Sequence, residues 1–294
     1  MSETAVIETK LSKFPLIYRG KVRDIYEDGG KMLIVTTDRI SAFDYVLPSP
    51  LPGKGKILTQ LSVFWFNQTK NLIPNHLLTT DASSYAANEE ERKMLEGRSM
   101  VVKKVKRLDV EAIVRGHLTG SAWADYQKKG EINGIKLPPG MRDGDAFPEP
   151  LFTPSTKAEV GTHDEPMTFQ EVVNLLGEKW ANKMKEVSLK IFKAASEKAK
   201  AHGLLLADTK MEFEVGRDEL ILIDEFAHPD SSRFGRRASI NRESLSNLRI
   251  SRLVRDYLLA SPWDRKSTPP PLPDEIVKET LHRYRTIAEM LMKN

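Results

Sequence analysis

The sequence predicts an α+β protein, with an antiparallel sheet carrying one helix over its first third and an α/β remainder that ends in helices. Three observations carry this. The β-prone runs Lys21 to Glu27 and Lys31 to Thr37 flank Asp28-Gly29-Gly30, a hairpin signal. From Glu178 the apolar residues Trp180, Met184, Val187, Ile191, Ala195 and Ala199 recur at helical spacing, with lysines on the other face. Two further strand-like runs, Leu204 to Val215 and Leu220 to Phe226, follow that helix and are joined through Gly216 to Glu219.

The remaining elements follow in order. Ile57 to Leu72 sets Leu58, Leu61, Phe64 or Trp65, and Leu72 on one helical face, and Met100 to Lys104 and Val110 to Arg115 read as strands. Gly130 to Met167 holds six prolines and five glycines and shows no period. It is longer than the ~12–15 residues at which an unstructured loop implies function or disorder, so it is expected to wrap the surface near a site. Thr168 opens a helix through a capping box with Glu171, Gly177 breaks that helix, and Gly203 ends the long one. Ser251 to Leu259 is helical, Pro269 to Pro273 is a stiff spacer, and Asp274 to Met292 closes the chain as an amphipathic helix.

A chain of 294 residues can bury a sizeable core in one large or two closely packed domains. With 45 basic residues against 41 acidic ones, evenly mixed, the charge leaves no nucleic-acid footprint, and aromatics are not interleaved with the basic runs as stacking platforms require. A pI near 9.0 still allows a locally cationic cleft for small anions. The absence of cysteine rules out disulfides and thiolate metal sites, and the six histidines lack zinc-site spacing. The N-terminus has no signal-peptide pattern, and no apolar run approaches the ~20 residues that span a bilayer, so a cytoplasmic protein is expected.

Charges in apolar strands give the chemistry. In ADTKMEFEV, Asp208, Lys210 and Glu212 project from one face of a strand, and LILIDEF is apolar until Asp224-Glu225. A three-residue loop, Arg217 to Glu219, sets Glu212 directly across from Asp224 as an oxygen-ligand pair for Mg²⁺, whereas a four-residue loop sets Asp224 on the opposite face. In VEAIVRGHLTGSAWADYQ a strand ends at Arg115, and Ser121 is placed to cap the next helix, which makes a phosphate site of guanidinium and free amides. RGKVRDIYE is not a Walker loop, but Gly20 between Arg19 and Lys21, with Arg23 on the same face as Lys21, fits a hairpin laid over phosphates. Ser231, Ser232 and Arg233 in PDSSRF suit an anion, though Pro229-Asp230 equally starts a turn, and His163 and Lys157 fall in the proline-rich stretch.

In this order RGKVRDIYE, TDRISAFD, VEAIVRGHLTGSAW, FPEPLFTPSTKAEVGTHDE, ADTKMEFE and IDEFAHPDSSRF resemble the SAICAR synthetase (phosphoribosylaminoimidazole-succinocarboxamide synthase) family, from residue 19 to 234. The resemblance implies a cytoplasmic ligase of purine biosynthesis that uses ATP and Mg²⁺ to activate carboxyaminoimidazole ribotide, as an acyl phosphate, for attack by L-aspartate. It implies a two-lobed fold. Residues 1–105 would form an N-terminal β-rich ATP-binding lobe, kinase-like or ATP-grasp-like, and 106–294 a larger α/β substrate- and metal-binding lobe with C-terminal helices. Partners are then small molecules on a monomer or homodimer, with neither nucleic acid nor membrane.

Carried over residue by residue, Gly20, Lys21, Val22 and Arg23 fall at the ATP phosphates, Lys103 or Lys104 beside the adenine, and Lys157 in the nucleotide site. Glu212 and Asp224 match the metal acids. Arg115, Ser121, Ser231, Ser232, Arg233 and Arg255 match the ribotide side, and Asp44, Asp208 and Lys210 line the pocket; Lys210, Asp208 and Lys157 are the catalytic candidates. The chain departs from the family where Gly235 stands for a Trp and Ile250 and Ser251 stand for an Asp and a Lys, with Arg249 and Arg252 as the nearby cations. Residues 235 to 248, rich in Ser, Arg and Asn, are expected to close over the ribotide. A small-molecule kinase would instead turn ATP over without L-aspartate, and an RNA-binding protein would show no ATPase.

Overall fold

A computed structural model describes residues 4–157, 164–216, 218–236 and 250–293. In chain order the first elements are β1 (Leu16–Arg19), β2 (Arg23–Asp28), β3 (Lys31–Thr36), β4 (Ser41–Ala42), β5 (Tyr45–Val46), α1 (Lys54–Thr69), β6 (Leu77–Thr79), α2 (Glu89–Leu95) and β7 (Ser99–Lys103). Then come β8 (Val110–His117), α3 (Ser121–Lys129), β9 (Glu131–Ile132), β10 (Ile135–Lys136), β11 (Ala146–Phe152) and β12 (Ser155–Thr156). The last are α4 (Phe169–Leu176), α5 (Glu178–Ala201), β13 (Leu204–Val215), β14 (Leu220–Ile223), β15 (Arg233–Arg236), α6 (Ile250–Ala260) and α7 (Asp274–Met292). They gather into two compact units. One comprises Met1–Phe64, His76–Lys104 and Arg249–Asn294, the other Trp65–Asn75 and Val105–Leu248.

The first unit is built on an antiparallel sheet of order β1-β2-β3-β7-β6. The expected hairpin forms: Asp28 pairs with Lys31 across Gly29-Gly30, and Gly29 takes φ 57, which suits a residue without Cβ. Tyr26, Leu33, Val35 and Val101 pack with Tyr85 and Leu95 as its core. In the β4–β5 hairpin Ala42 pairs with Tyr45, so the loop is the two residues Phe43 and Asp44, at φ 52 and 68. That turn type favours Asn-Gly, and holding other residues in it costs on the order of 1–3 kcal/mol each, as functional segments do. The closing helix α7 follows its predicted span and buries Tyr284, Ile287, Ala288 and Leu291.

The second unit centres on a sheet of order β11-β8-β13-β14, with β12 also paired to β8 and β15 to β13. Asp208 lies opposite Arg115, and Lys210 opposite Ile113. Period-two alternation therefore puts Glu111, Arg115, Asp208, Lys210 and Glu212 on one face and Ala112, Val114, Met211 and Phe213 on the other. The long helix α5 covers the apolar face with Met184, Val187, Ile191, Phe192 and Ala195. Gly116 makes room for it, since a Cβ there would lie 3.0 Å from Phe192.

Three expectations are corrected. The stretch from 130 to 167 is not an unstructured loop: it supplies the β9–β10 hairpin, the edge strand β11 and β12. β11 carries Pro148 and Pro150 because an edge strand has one side without ladder bonds, and its register shifts between Ala146 and Leu151. Ser121 is not the cap of α3. Gly120 is the N-cap, at φ 66, and Ser121 is the first helical residue. The β13–β14 loop runs from residue 216 to 219, with Val215 paired to Leu220, so Glu212 stands opposite Ile223 and not opposite Asp224. The capping box at Thr168 is present as expected, and Gly177, at φ 79, separates α4 from α5. No described helix is long and apolar enough to cross a membrane.

Candidate active site

On the charged sheet face, Arg115 is 7% exposed and lies inside β8, which runs two residues past its expected end to His117. Its Nη1 donates to Asp208 Oδ2 at 2.9 Å, its Nε to Thr153 Oγ1 at 3.0 Å, and its Nη2 to Ser121 Oγ at 3.3 Å. The hydroxyl expected to cap a helix thus accepts from the guanidinium instead. Burial depresses the Arg115 pKa, Asp208 pushes it back up, and Arg233 lowers it, yet guanidinium basicity keeps the group charged. Asp208 also accepts from the Arg233 amide at 3.2 Å and pairs with the Arg233 guanidinium. One buried carboxylate therefore aligns two guanidiniums.

Gly120 completes this arrangement. A Cβ there would lie 2.6 Å from Cζ of Arg233, so the arginine occupies space that only glycine leaves, at a positive φ that glycine also favours. Ser232 is turned inward: its Oγ shares a 2.7 Å hydrogen bond with Thr209 Oγ1 and accepts from the His228 amide at 3.2 Å. Ser231 donates to the His228 carbonyl at 3.4 Å, closing the turn that presents Arg233.

Further along the same face lies a cluster of carboxylates and ammoniums. Lys210 Nζ donates to Glu111 Oε2 at 2.7 Å, and Ser155 Oγ donates to the same oxygen at 3.1 Å. Lys157 Nζ lies 2.5 Å from Glu212 Oε1 and 3.5 Å from Glu111 Oε1. Although Asp224 does not face Glu212 in register, it follows the last residue of β14 at φ 57, outside the strand alternation, and the two carboxylates interact. Burial raises the Glu212 pKa, Asp224 raises it further, and Lys157 opposes both. Burial would lower the Lys157 pKa, but Glu212, Glu111 and Asp224 together hold it above the ordinary lysine value. Two carboxylates that repel one another beside a single ammonium are a donor set suited to Mg²⁺, which takes one or two carboxylates plus phosphate and water oxygens. Among the described residues no group of three or more His, Cys, Asp or Glu forms a chelating set, so the pair needs those outside oxygens.

In the first unit, Gly20, Lys21 and Val22 form the loop between β1 and β2, so Lys21 lies outside the strand expected to carry it, and Arg23 opens β2; the Gly20 amide donates to the Arg23 carbonyl at 2.7 Å and closes the loop. Buried Arg39 fixes this loop, donating to the Gly20 carbonyl at 2.9 Å, to the Lys21 carbonyl at 3.1 Å and to Asp24 Oδ1 at 2.8 Å. Lys21 pairs with Asp44, which joins the β1–β2 loop to the strained β4–β5 turn. Beside that turn Arg255 stacks on Phe43, its Cζ 5.2 Å from the ring centroid. Lys103 ends β7 exposed, and Lys104 pairs with Glu27 on β2.

Sequence reasoning passed over Glu111 and Arg39. Glu111 had a signal, a lone carboxylate inside the apolar strand VEAIV that is costly unless paired. Arg39 lies in the quoted segment TDRISAFD, and its partners became visible only with the tertiary fold. The divergent segment falls largely at 237–249, outside the described residues, as do His163 and Arg217.

The profile of the SAICAR synthetase family matches residues 16–269. A phosphoribosylaminoimidazole-succinocarboxamide synthase of Thermodesulfovibrio yellowstonii is 50% identical, covering 98% of this chain and 99% of its own. One of Geotalea uraniireducens is 47% identical over 95% of each chain. Among solved structures, a SAICAR synthase from Saccharomyces cerevisiae complexed with SAICAR superposes with a TM-score of 0.88, at 37% identity and 99% coverage of both chains.

Proposed function

The chain belongs to the SAICAR synthetase family, and from that premise we propose how its residues divide the family's reaction among them. That reaction, which is the reaction of this chain, joins L-aspartate to 5-amino-1-(5-phospho-D-ribosyl)imidazole-4-carboxylate at the expense of ATP, giving SAICAR, ADP and phosphate in de novo purine biosynthesis.

Arg115, Arg233 and Ser121 bind the ribotide phosphate. The observation that carries this reading is the pair of guanidiniums aligned by buried Asp208, a geometry that meets phosphate oxygens with charge-assisted hydrogen bonds. Ser231, Ser232 and Arg255 complete the ribotide side, with Ser232 acting through the turn it stabilises. Gly20, Lys21, Val22 and Arg23 lie over the ATP phosphates, and Lys103 and Lys104 border the adenine. Glu212 and Asp224 hold Mg²⁺, which when bound neutralises the ATP phosphates. Lys157 and Lys210 offset charge on the transferring phosphoryl group, and Asp208 and Asp44 orient the cations beside them.

A carboxylate oxygen of the ribotide attacks the γ-phosphorus and ADP leaves, giving an acyl phosphate. The aspartate amine then attacks the acyl carbon, phosphate departs with that oxygen, and the amine loses a proton. No side chain is a covalent nucleophile in this scheme; the chain contributes positioning and charge. We read the fold as two-lobed, with a kinase-like or ATP-grasp-like ATP lobe and a substrate and metal lobe that carries Glu212 and Asp224, in a cytoplasmic monomer or homodimer; the C-terminal helices, expected in the second lobe, group instead with the first unit. Ribotide labelled with ¹⁸O in its carboxylate tests the scheme. One labelled oxygen is expected in the released phosphate, and unlabelled phosphate would overturn the acyl-phosphate route.

A further inference from the structure

The cluster around Lys157 holds three carboxylates, Glu111, Glu212 and Asp224, and two ammoniums, Lys157 and Lys210. Lys210 and Ser155 both engage Oε2 of Glu111, while Oε1 faces Lys157 Nζ at 3.5 Å, beyond a normal hydrogen bond. Lys157 instead sits on Glu212 at 2.5 Å. Glu111 is thus a buried carboxylate oriented by two donors, with its second oxygen turned toward an ammonium engaged elsewhere. The backbone beneath is held: Ser155 pairs with Glu111 and Thr156 with Val110, and the Lys157 amide donates to the Asp109 carbonyl at 3.2 Å. A swing of Nζ by about 1 Å brings it into hydrogen-bond range of Glu111 without moving the strand.

We propose that Lys157 is the resident counter-cation of the Glu212–Asp224 pair and that metal binding transfers its ammonium to Glu111, which serves as the positioning residue that receives it. This deepens the reading of Glu212 and Asp224 as the metal pair and rests on it. The physical reason is exclusion. A divalent metal held by the Glu212 carboxylate would repel an ammonium hydrogen-bonded to that same carboxylate, in a site where screening by water is weak. Lys157 therefore offsets the repulsion within the pair and competes with the metal until Glu111 takes it over. Transfer also leaves Lys157 held by a carboxylate next to the metal pair, so that one side chain serves as counter-ion before nucleotide arrives and as an oriented cation afterwards.

The competition is read from Mn²⁺ binding to the nucleotide-free protein, followed by the electron paramagnetic resonance signal of free Mn²⁺. Lys157→Met keeps the length and removes the charge, and is expected to tighten Mn²⁺ binding about tenfold or more. Lys157→Gln should act in the same direction, which guards against a packing artefact of either variant. Glu111→Gln is expected to weaken Mn²⁺ binding about threefold or more in the native background and to have no effect beside Lys157→Met, because its role passes through the lysine. If Mn²⁺ binds the Lys157 variants no more tightly, while adding Glu212→Gln abolishes binding, the handover is wrong and the metal pair stands. A Glu111→Gln loss of equal size in both backgrounds reduces Glu111 to a general negative charge and overturns its receiving role. Mn²⁺ binding that is indifferent to Glu212→Gln removes the metal pair and the handover together.

Discussion

Arg115 and Asp208 face one another in register on β8 and β13, and Arg115 Nη1 donates to Asp208 Oδ2 at 2.9 Å. The carboxylate offsets the cost of burying that guanidinium and, through the Arg233 amide and side chain, sets the spacing of a second cation. Arg115→Ala is expected to weaken ribotide binding roughly ten- to a hundredfold, from about 1.5–3 kcal/mol for a charge-assisted contact, and to change ATP binding much less. Isothermal titration with each ligand checks this. Equal losses for both would move Arg115 out of the ribotide site.

Gly120→Ala is expected to act on Arg233 rather than on the helix it precedes. The added Cβ meets the guanidinium, and the residue must hold φ 66, so a stability loss of about 1–2 kcal/mol should accompany a raised KM for ribotide. The KM for ATP should stay close to that of the native protein. A thermal melt and steady-state kinetics measure both, and an unchanged ribotide KM would mean that Arg233 does not depend on this gap.

Burial depresses the pKa of His117, against a smaller upward pull from Asp208, and its Nδ1 is buried without a hydrogen-bond partner among the described residues. The neutral ring is therefore favoured in the folded state. Stability from this group is fully present above its ordinary value of 6.5 and is lost as pH falls through the lowered folded value. Between about pH 7.5 and 5.5 the native melting temperature should fall by more than that of His117→Gln. A steeper fall in the variant would contradict the assignment.

Much of this was legible in local chemistry. Asp28-Gly29-Gly30 and the Thr168–Glu171 box are short-range signals that tertiary packing did not override, and the alternation of Asp208, Lys210 and Glu212 put three charges on the face where they are found. The strand β11 was hidden because Pro148 and Pro150 mark a loop everywhere except at a sheet edge, and the edge is a property of the whole sheet. Strand alternation was sound up to Ile223 and failed one residue later, where Asp224 leaves the strand in the left-handed region at φ 57. Glu111 meets Ser155 and Lys210 from far along the chain, so its role emerged only with the register of β8 against β12 and β13.

Glu212 and Asp224 carry the central claim, because the burial of Glu212 and its repulsion with Asp224 make this pair unfavourable without a cation. Asp224→Asn and Glu212→Gln are each expected to lose metal-dependent turnover, Glu212→Gln less completely, and the double variant should lose little more than Asp224→Asn, since groups acting as one unit share a single loss. The most direct measurement is the rate of SAICAR formation by Asp224→Asn with saturating ATP, Mg²⁺, L-aspartate and carboxylated ribotide, taken alongside its thermal melt. A fall of about 100-fold or more with the melt unchanged or raised is predicted; a normal Mg²⁺-dependent rate from a folded Asp224→Asn protein would contradict the account.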